Sequence, residues 1–371
     1  MDHDLTSRPP RAAGFTPRVA THGTRRHQCG SVAAAAPPGT AKRIARGVML
    51  GATALAAAGC MPEGFLITPA PASRKLVETT LVRESLLASA KIAVIDVEGI
   101  LLNAHEPRLI GEGEHAVSLL TEQLDKARGD PAVRAVVLRI NSPGGGVTAS
   151  DLMHGEIERF RKTGRPVYAV MMDVAASGGY YVACACDEIY AQPTTITGSI
   201  GVIMQMVDLS GTLGKIGIKT DAITSGARKD AGSPLRSMTP EERELFQGIV
   251  NGLYERFVSV VVGGRPKLDE GQVRELADGR VFTAQQALDA GLIDGIAGMR
   301  DVIAKAKERV GAGKVRVVAY HRPLGYVANY YGGSPGPPPQ AAEINLINLN
   351  LGELLQASYP QFLYLWSPGT R

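Results

Sequence analysis

The chemistry this chain can carry concentrates at Ser177, within Val174-Ala-Ala-Ser-Gly-Gly-Tyr-Tyr181. A strand-like run, Pro166–Met172, leads into it, and a helix-like run, Tyr180–Cys186, leads out. A serine at such a junction stands at a helix N-terminus, where unpaired N–H groups and the helix dipole favour negative charge. Gly178 and Gly179 leave that backbone open to a substrate. A hydroxyl nucleophile beside an oxyanion site is what acyl transfer requires. The plain alternative is a serine N-cap before two glycines that permit a close turn. A second glycine turn, Asn141-Ser-Pro-Gly-Gly-Gly146, also follows a strand-like run, Val133–Ile140. One N–H from each turn can hold a single oxyanion. The lysine followed by Ser or Thr that marks a phosphate loop is absent there.

A serine nucleophile also needs a base. The seven histidines are scattered, none in zinc-like spacing, and His105, His115 and His154 stay open as triad partners. A neutral lysine is the other choice, and it must lose solvation or sit beside another cation. Lys229 lies in the polar loop Ser225-Gly-Ala-Arg-Lys-Asp-Ala-Gly-Ser-Pro234. Position alone does not select it over Lys215 or Lys219.

The elements that must hold these residues alternate. Strands are expected at Lys91–Val97, Val133–Ile140, Pro166–Met172, Glu188–Ala191, Ser199–Met204, Thr220–Thr224 and Val315–Tyr320. Helices are expected at His115–Arg128, Val147–Lys162, Leu209–Ile216, Asp269–Ala277, Thr283–Ala290 and Met299–Val310. A longer helix starts at Thr239-Pro-Glu-Glu242, with Thr as cap and Pro at the first position. This order predicts an α/β fold with a largely parallel sheet and right-handed crossovers. Ligands of such sheets bind beyond the C-terminal strand ends, where both glycine turns fall.

The net charge of +4 is uneven, because residues 1–59 hold eight Lys/Arg and two acids, so the remainder carries −2. Nothing in that remainder asks for nucleic acid. Residues 1–41 read as a disordered or misassigned extension. Lys42-Arg-Ile-Ala-Arg46, the apolar run Gly47–Gly59 and Cys60 make a secretory signal. Ala57-Ala-Gly-Cys60 resembles a bacterial lipobox, with Cys60 as the lipidated residue; an uncleaved anchor and plain secretion are the alternatives. Residues 61–90 are expected to be a linker and membrane-proximal segment, 91–310 the main folded domain, and 311–371 a C-terminal extension. Cys184 and Cys186, separated by one residue, are expected as small core residues.

Asn141–Gly146, Ala175–Tyr181, Thr197-Gly-Ser-Ile-Gly-Val202 and Ser225–Asp230 with Ser233-Pro234 occur in this order, followed by Asp278-Gly-Arg-Val-Phe282 and Ala287–Asp294. Over roughly residues 90–310 the chain resembles the signal peptide peptidase A family of serine proteases. The resemblance implies a ClpP/crotonase-like fold, a Ser-Lys dyad and no cofactor or metal. Ser177 then matches the nucleophile, Lys229 the general base, and Gly145 and Gly178 the oxyanion donors. Ser199 matches a serine that orients the lysine, with a plain turn serine as alternative. The single set of motifs implies a homo-oligomeric ring in which neighbouring protomers supply Ser and Lys. The implied substrates are peptides, remnant signal peptides at the membrane, with small and apolar residues around the cleaved bond. Together with the leader, this places the protein on the cell membrane, lipid-anchored at Cys60 and facing outward. Two competing readings keep the fold: a crotonase-like acyl-CoA enzyme, which needs no Ser-Lys pair, and a non-catalytic membrane scaffold. A secreted location disfavours the first, since CoA is cytosolic. Intact Ser177 and Lys229 disfavour the second.

Overall fold

The computed structural model describes residues 75–104, 114–323 and 361–367. The N-terminal extension, the expected signal with Cys60, His105 and most of the tail lie outside the described residues. The centre of the fold is four parallel strands: β2 (Ala90–Leu101), β3 (Val133–Gly146), β4 (Val167–Ala176) and β5 (Glu188–Ala191). Ile92 to Ile95, Val136 to Leu138 and Ala169 to Met171 are buried without interruption. Such runs belong to strands covered on both faces. One face packs against α1 (Ala116–Gly129), α2 (Val147–Arg161), α3 (Gly178–Ala183) and the C-terminal half of α5 (Pro240–Gly264). The other receives Met299, Val302, Ile303 and Ala306 of α8 (Met299–Arg309).

The sheet order is β1-β10-β2-β3-β4-β5-β9, with β1 at Val77–Arg83, β9 at Gly295–Ile296 and β10 at Val315–His321. Short strands build onto the C-terminal end of β4. β6 (Ile196–Gly198) runs parallel to it and is flanked by antiparallel β8 (Val281–Thr283). β7 (Ile203–Gln205) and the end of β3 both pair antiparallel with β11 (Gln361–Leu365). The α/β class with a largely parallel sheet and flanking helices is therefore as expected. So is the start of α5, where Thr239 and Glu242 form a capping box around Pro240.

Four expectations change. The sheet runs past both expected domain boundaries: β1 lies inside the expected 61–90 linker and β10 inside the expected 311–371 extension. β10 pairs with the central strand β2 on one side and with β1 on the other, so each of these segments is part of the same hydrogen-bonded sheet. Thr220–Thr224 is not a strand; all five residues are exposed, and no strand pairs with them among the described residues. Ser199–Met204 is broken, because a positive φ at Ser199 ends β6 and pairing resumes only at Ile203. The expected turn at 141–146 is the distorted end of β3. Register slips at Glu98/Ile100 and Ile140/Ser142 and a φ of 99° at Gly144 carry it on as a bulged strand.

Candidate active site

Ser177 ends β4 and begins α3. Its N–H donates to the Gly198 carbonyl at 2.7 Å, and its own carbonyl accepts the Tyr181 N–H at 2.9 Å. These two bonds hold it at φ 52°, ψ −115°, a conformation that L side chains rarely adopt and that costs of order 1–3 kcal/mol. The residue is 1% exposed. Among the described residues, the one other non-glycine with positive φ is Ser199, at 50°. The β4–β6 register pairs Ala176 with Gly198, so Ser199 follows directly on the residue that holds Ser177. The Ser199 N–H donates to the Arg280 carbonyl at 2.7 Å. The downstream segment Asp278–Phe282 therefore fixes Ser199 from the far side.

The two glycine segments meet. A Cβ on Gly144 would lie 2.6 Å from the Gly178 nitrogen and 1.9 Å from the Tyr364 carbonyl oxygen. A Cβ on Gly178 would lie 2.4 Å from Ser150 Oγ and 3.1 Å from that same carbonyl oxygen. Gly145 packs on Leu101, whose carbonyl oxygen would be 2.1 Å from an added Cβ. No residue but glycine fits at any of the three.

The carbonyl that lies against Gly144 and Gly178 belongs to β11. That strand pairs Leu363, Tyr364 and Leu365 with Gly146, Gly145 and Gly144, and Gln361, Phe362 and Leu363 with Gln205, Met204 and Ile203. The Trp366 N–H continues the ladder to the Pro143 carbonyl at 2.9 Å. The buried Tyr364 ring stacks on Tyr181 at 5.1 Å and packs on Phe257 at 4.7 Å, and its hydroxyl donates to the Leu253 carbonyl at 2.7 Å. Tyr181 in turn donates to Asp151, which also accepts from Arg256 at 2.9 Å. An extended peptide thus occupies the groove between β3 and β7, with an aromatic side chain sunk beside α3.

Ser177, Gly178, Ser199 and the Gly145 segment are brought together; Lys229 is not. Its side chain is exposed and makes no hydrogen bond or ion pair among the described residues. Its backbone is nevertheless located, since the neighbouring Asp230 accepts from Arg236 at 2.7 and 2.9 Å and Arg236 also donates to Glu242, at the start of α5. The arginine's bonds hold both carboxyls below their ordinary values.

Of the candidate histidines, the two that lie among the described residues are engaged elsewhere. His115 caps α1, accepting the Ser118 N–H at 3.3 Å. His154 is buried edge-on to Tyr181 at 5.3 Å, and burial pushes its pKa below the ordinary value. Cys184 and Cys186 are buried free thiols just beyond α3, and burial raises both, Cys184 to about 12, so neither is a thiolate at neutral pH. Among the described residues no three His, Cys, Asp or Glu side chains are grouped to hold a metal.

The sequence model of Peptidase family S49 matches residues 159–313. A putative signal peptide peptidase SppA of Enterococcus faecium is 35% identical over 261 residues, which is 70% of this chain and 75% of that protein. The chain belongs to peptidase family S49. Protease 4 of Salmonella typhi is 36% identical over 58% of this chain, which spans only 34% of that longer protein. The chloroplastic serine protease SPPA of Arabidopsis thaliana is 36% identical over 63% of this chain and 35% of its own length. A mutant ClpP1 from Listeria monocytogenes aligns in structure at a TM-score of 0.37 and 17% identity, over 56% of this chain and 92% of its own. The S49 match takes in Ser177, Ser199 and Lys229, with Gly145 upstream of it.

Sequence reasoning missed β11. Its run Gln361-Phe-Leu-Tyr-Leu-Trp366, bounded by Pro360 and Pro368, carries the aromatic composition of a strand. Nothing in that composition says that it docks against a glycine segment two hundred residues away.

Proposed function

We propose that this S49 peptidase is a serine endopeptidase that binds its substrate as a strand antiparallel to β3 and cleaves it with a Ser177–Lys229 dyad. Neutral Lys229 takes the proton of Ser177 Oγ as that oxygen attacks the scissile carbonyl carbon. The carbonyl oxygen becomes an oxyanion held by the Gly145 and Gly178 N–H groups. One such donor is typically worth about 3 kcal/mol. Collapse breaks the C–N bond, and the ammonium of Lys229 protonates the leaving amine. Water, giving its proton to Lys229, then attacks the acyl-enzyme and releases a carboxylate. Ser199 orients the lysine amine.

The observation that carries this reading is the Tyr364 carbonyl, a peptide carbonyl lying against both glycine segments. The exposed, unpartnered Lys229 supports a base that serves the serine of a neighbouring copy. So does the exposed apolar surface beside its loop, at Val207, Ile216, Ile218 and Ile223. The relatives' names and the signal ending at Cys60 support cleaved signal peptides as substrates and a lipid-anchored, outward-facing enzyme at the membrane. No helix among the described residues is long and apolar enough to cross a membrane. Membership of a peptidase family leaves the acyl-CoA reading without support.

A fluorophosphonate probe should label the chain at Ser177, and Ser177→Ala should remove both labelling and peptide hydrolysis. Hydrolysis that survives Ser177→Ala overturns the reading. Cys60→Ser should abolish incorporation of radiolabelled fatty acid, and persistent incorporation defeats the anchor.

A further inference from the structure

We infer that Ser142 is a positioning residue of the oxyanion site, acting through the peptide that presents Gly145. The inference rests on the assignment of Gly145 and Gly178 as the donors. Ser142 is fully buried. Its Oγ donates to the Gly99 carbonyl at 2.6 Å and accepts the Gly144 N–H at 3.1 Å. Its own carbonyl lies against the other donor segment, since a Cβ on Gly179 would come within 2.6 Å of it. One residue therefore touches the β2 bulge at Gly99, the distorted end of β3 and the first turn of α3.

The need for such a tie follows from the sequence Ser142-Pro-Gly-Gly-Gly146. Pro143 holds its own φ near about −65°. Gly144 has no such restraint, because glycine enters positive and negative φ with similar ease. Its φ of 99° is thus permitted by the residue type but not selected by it. The bond from Gly144 N–H to Ser142 Oγ, acting with the pairing to β2 and β11, selects it. The next amide along the chain is that of Gly145, so fixing Gly144 aims the proposed donor. Donors act when already placed at about 2.7–3.1 Å from where the negative charge develops. Without the hydroxyl, the Gly144 N–H is buried without a partner, and the segment is held by its pairing with β2 and β11 alone. Asn141 anchors the same segment separately, its side-chain oxygen accepting the Val174 N–H at 3.2 Å. The fold around the site therefore does not depend on the Ser142 hydroxyl alone.

The test uses the full chain with Ser142→Ala and Ser142→Cys. The cysteine keeps the packing and replaces the hydroxyl by a weak acceptor. Measured are kcat and KM on a chromogenic peptide, and the affinity of a peptide boronic acid, whose tetrahedral adduct needs the oxyanion donors. Both variants should lose about 10- to 100-fold in kcat with little change in KM, and boronate affinity should fall by a similar factor. A loss confined to KM, or native kcat and boronate affinity in the cysteine variant, overturns the role of Ser142. A variant that melts early but keeps native kcat per labelled serine overturns it as well. Failure of the serine mechanism that gives those donors their role shows separately, as hydrolysis by the Ser177→Ala chain.

Discussion

Ser177 and Lys229 stand in surroundings of opposite kind. Ser177 is enclosed, held by two short backbone hydrogen bonds in a strained conformation, and bordered by glycines that admit no side chain. Lys229 sits in an exposed loop whose nearest firm tie is the Asp230–Arg236–Glu242 cluster one residue away. Strain persists only where the surroundings over-determine it. The serine half is thus complete within one chain. The lysine half has a located backbone and a side chain that makes no hydrogen bond or ion pair among the described residues. In the proposed ring, a second copy laid against the exposed apolar surface at Ile216, Ile218 and Ile223 would bring serine and lysine together and desolvate the amine.

The largest effect tests that division directly. Ser177→Ala and Lys229→Ala, each alone, should cut peptide hydrolysis to background, a loss of about 10⁶-fold where nucleophile and base act as a unit. Mixed and reassembled one to one, they should recover about a quarter of native activity if each site draws on two protomers of a closed ring. No recovery after verified co-assembly would mean that serine and lysine come from one chain. Next in size is Gly144→Ala. The added methyl meets backbone on both sides at a φ of 99°, so a loss of about 100-fold in kcat and about 2–3 kcal/mol of stability is expected from activity and urea melts. Equal activity would show that the serine half is less rigid than its packing indicates.

The smallest effect is at the lysine loop and depends on pH. The carboxyls of Asp230 and Glu242 are held below their ordinary values of 3.8 and 4.5, mainly by hydrogen bonds from Arg236. A depressed carboxylate stabilises the fold fully above its unfolded pKa, and the contribution disappears as pH falls through the folded value. Native protein should therefore lose melting temperature below about pH 4.5 more steeply than Arg236→Gln, in which the depression is removed. Parallel pH profiles would detach the loop's placement from this cluster.

Much of this architecture is legible along the chain. The buried runs of β2 to β5, the capping box at Thr239 and the serine between strand and helix are local patterns, set by periodicity and cap chemistry. The parts that misled depend on partners distant in sequence. Thr220–Thr224 has the composition of a strand but finds no ladder among the described residues. The glycine segment 141–146 has the composition of a turn, yet β2 on one side and β11 on the other hold it extended. β11 itself was visible as an aromatic run and invisible as an occupant of the groove.

The sequence alone determined the residue types that permit the chemistry: a serine before two glycines, a second glycine run, and a lysine in a polar loop, in the order of family S49. Only the tertiary structure decided which of them meet. A positive φ at Ser177, the approach of Gly144 to Gly178 and the docking of Tyr364 all arise from strand pairing and close packing between distant segments. Local preferences can permit such contacts, but the backbone ladders and the excluded volume around them select which ones form.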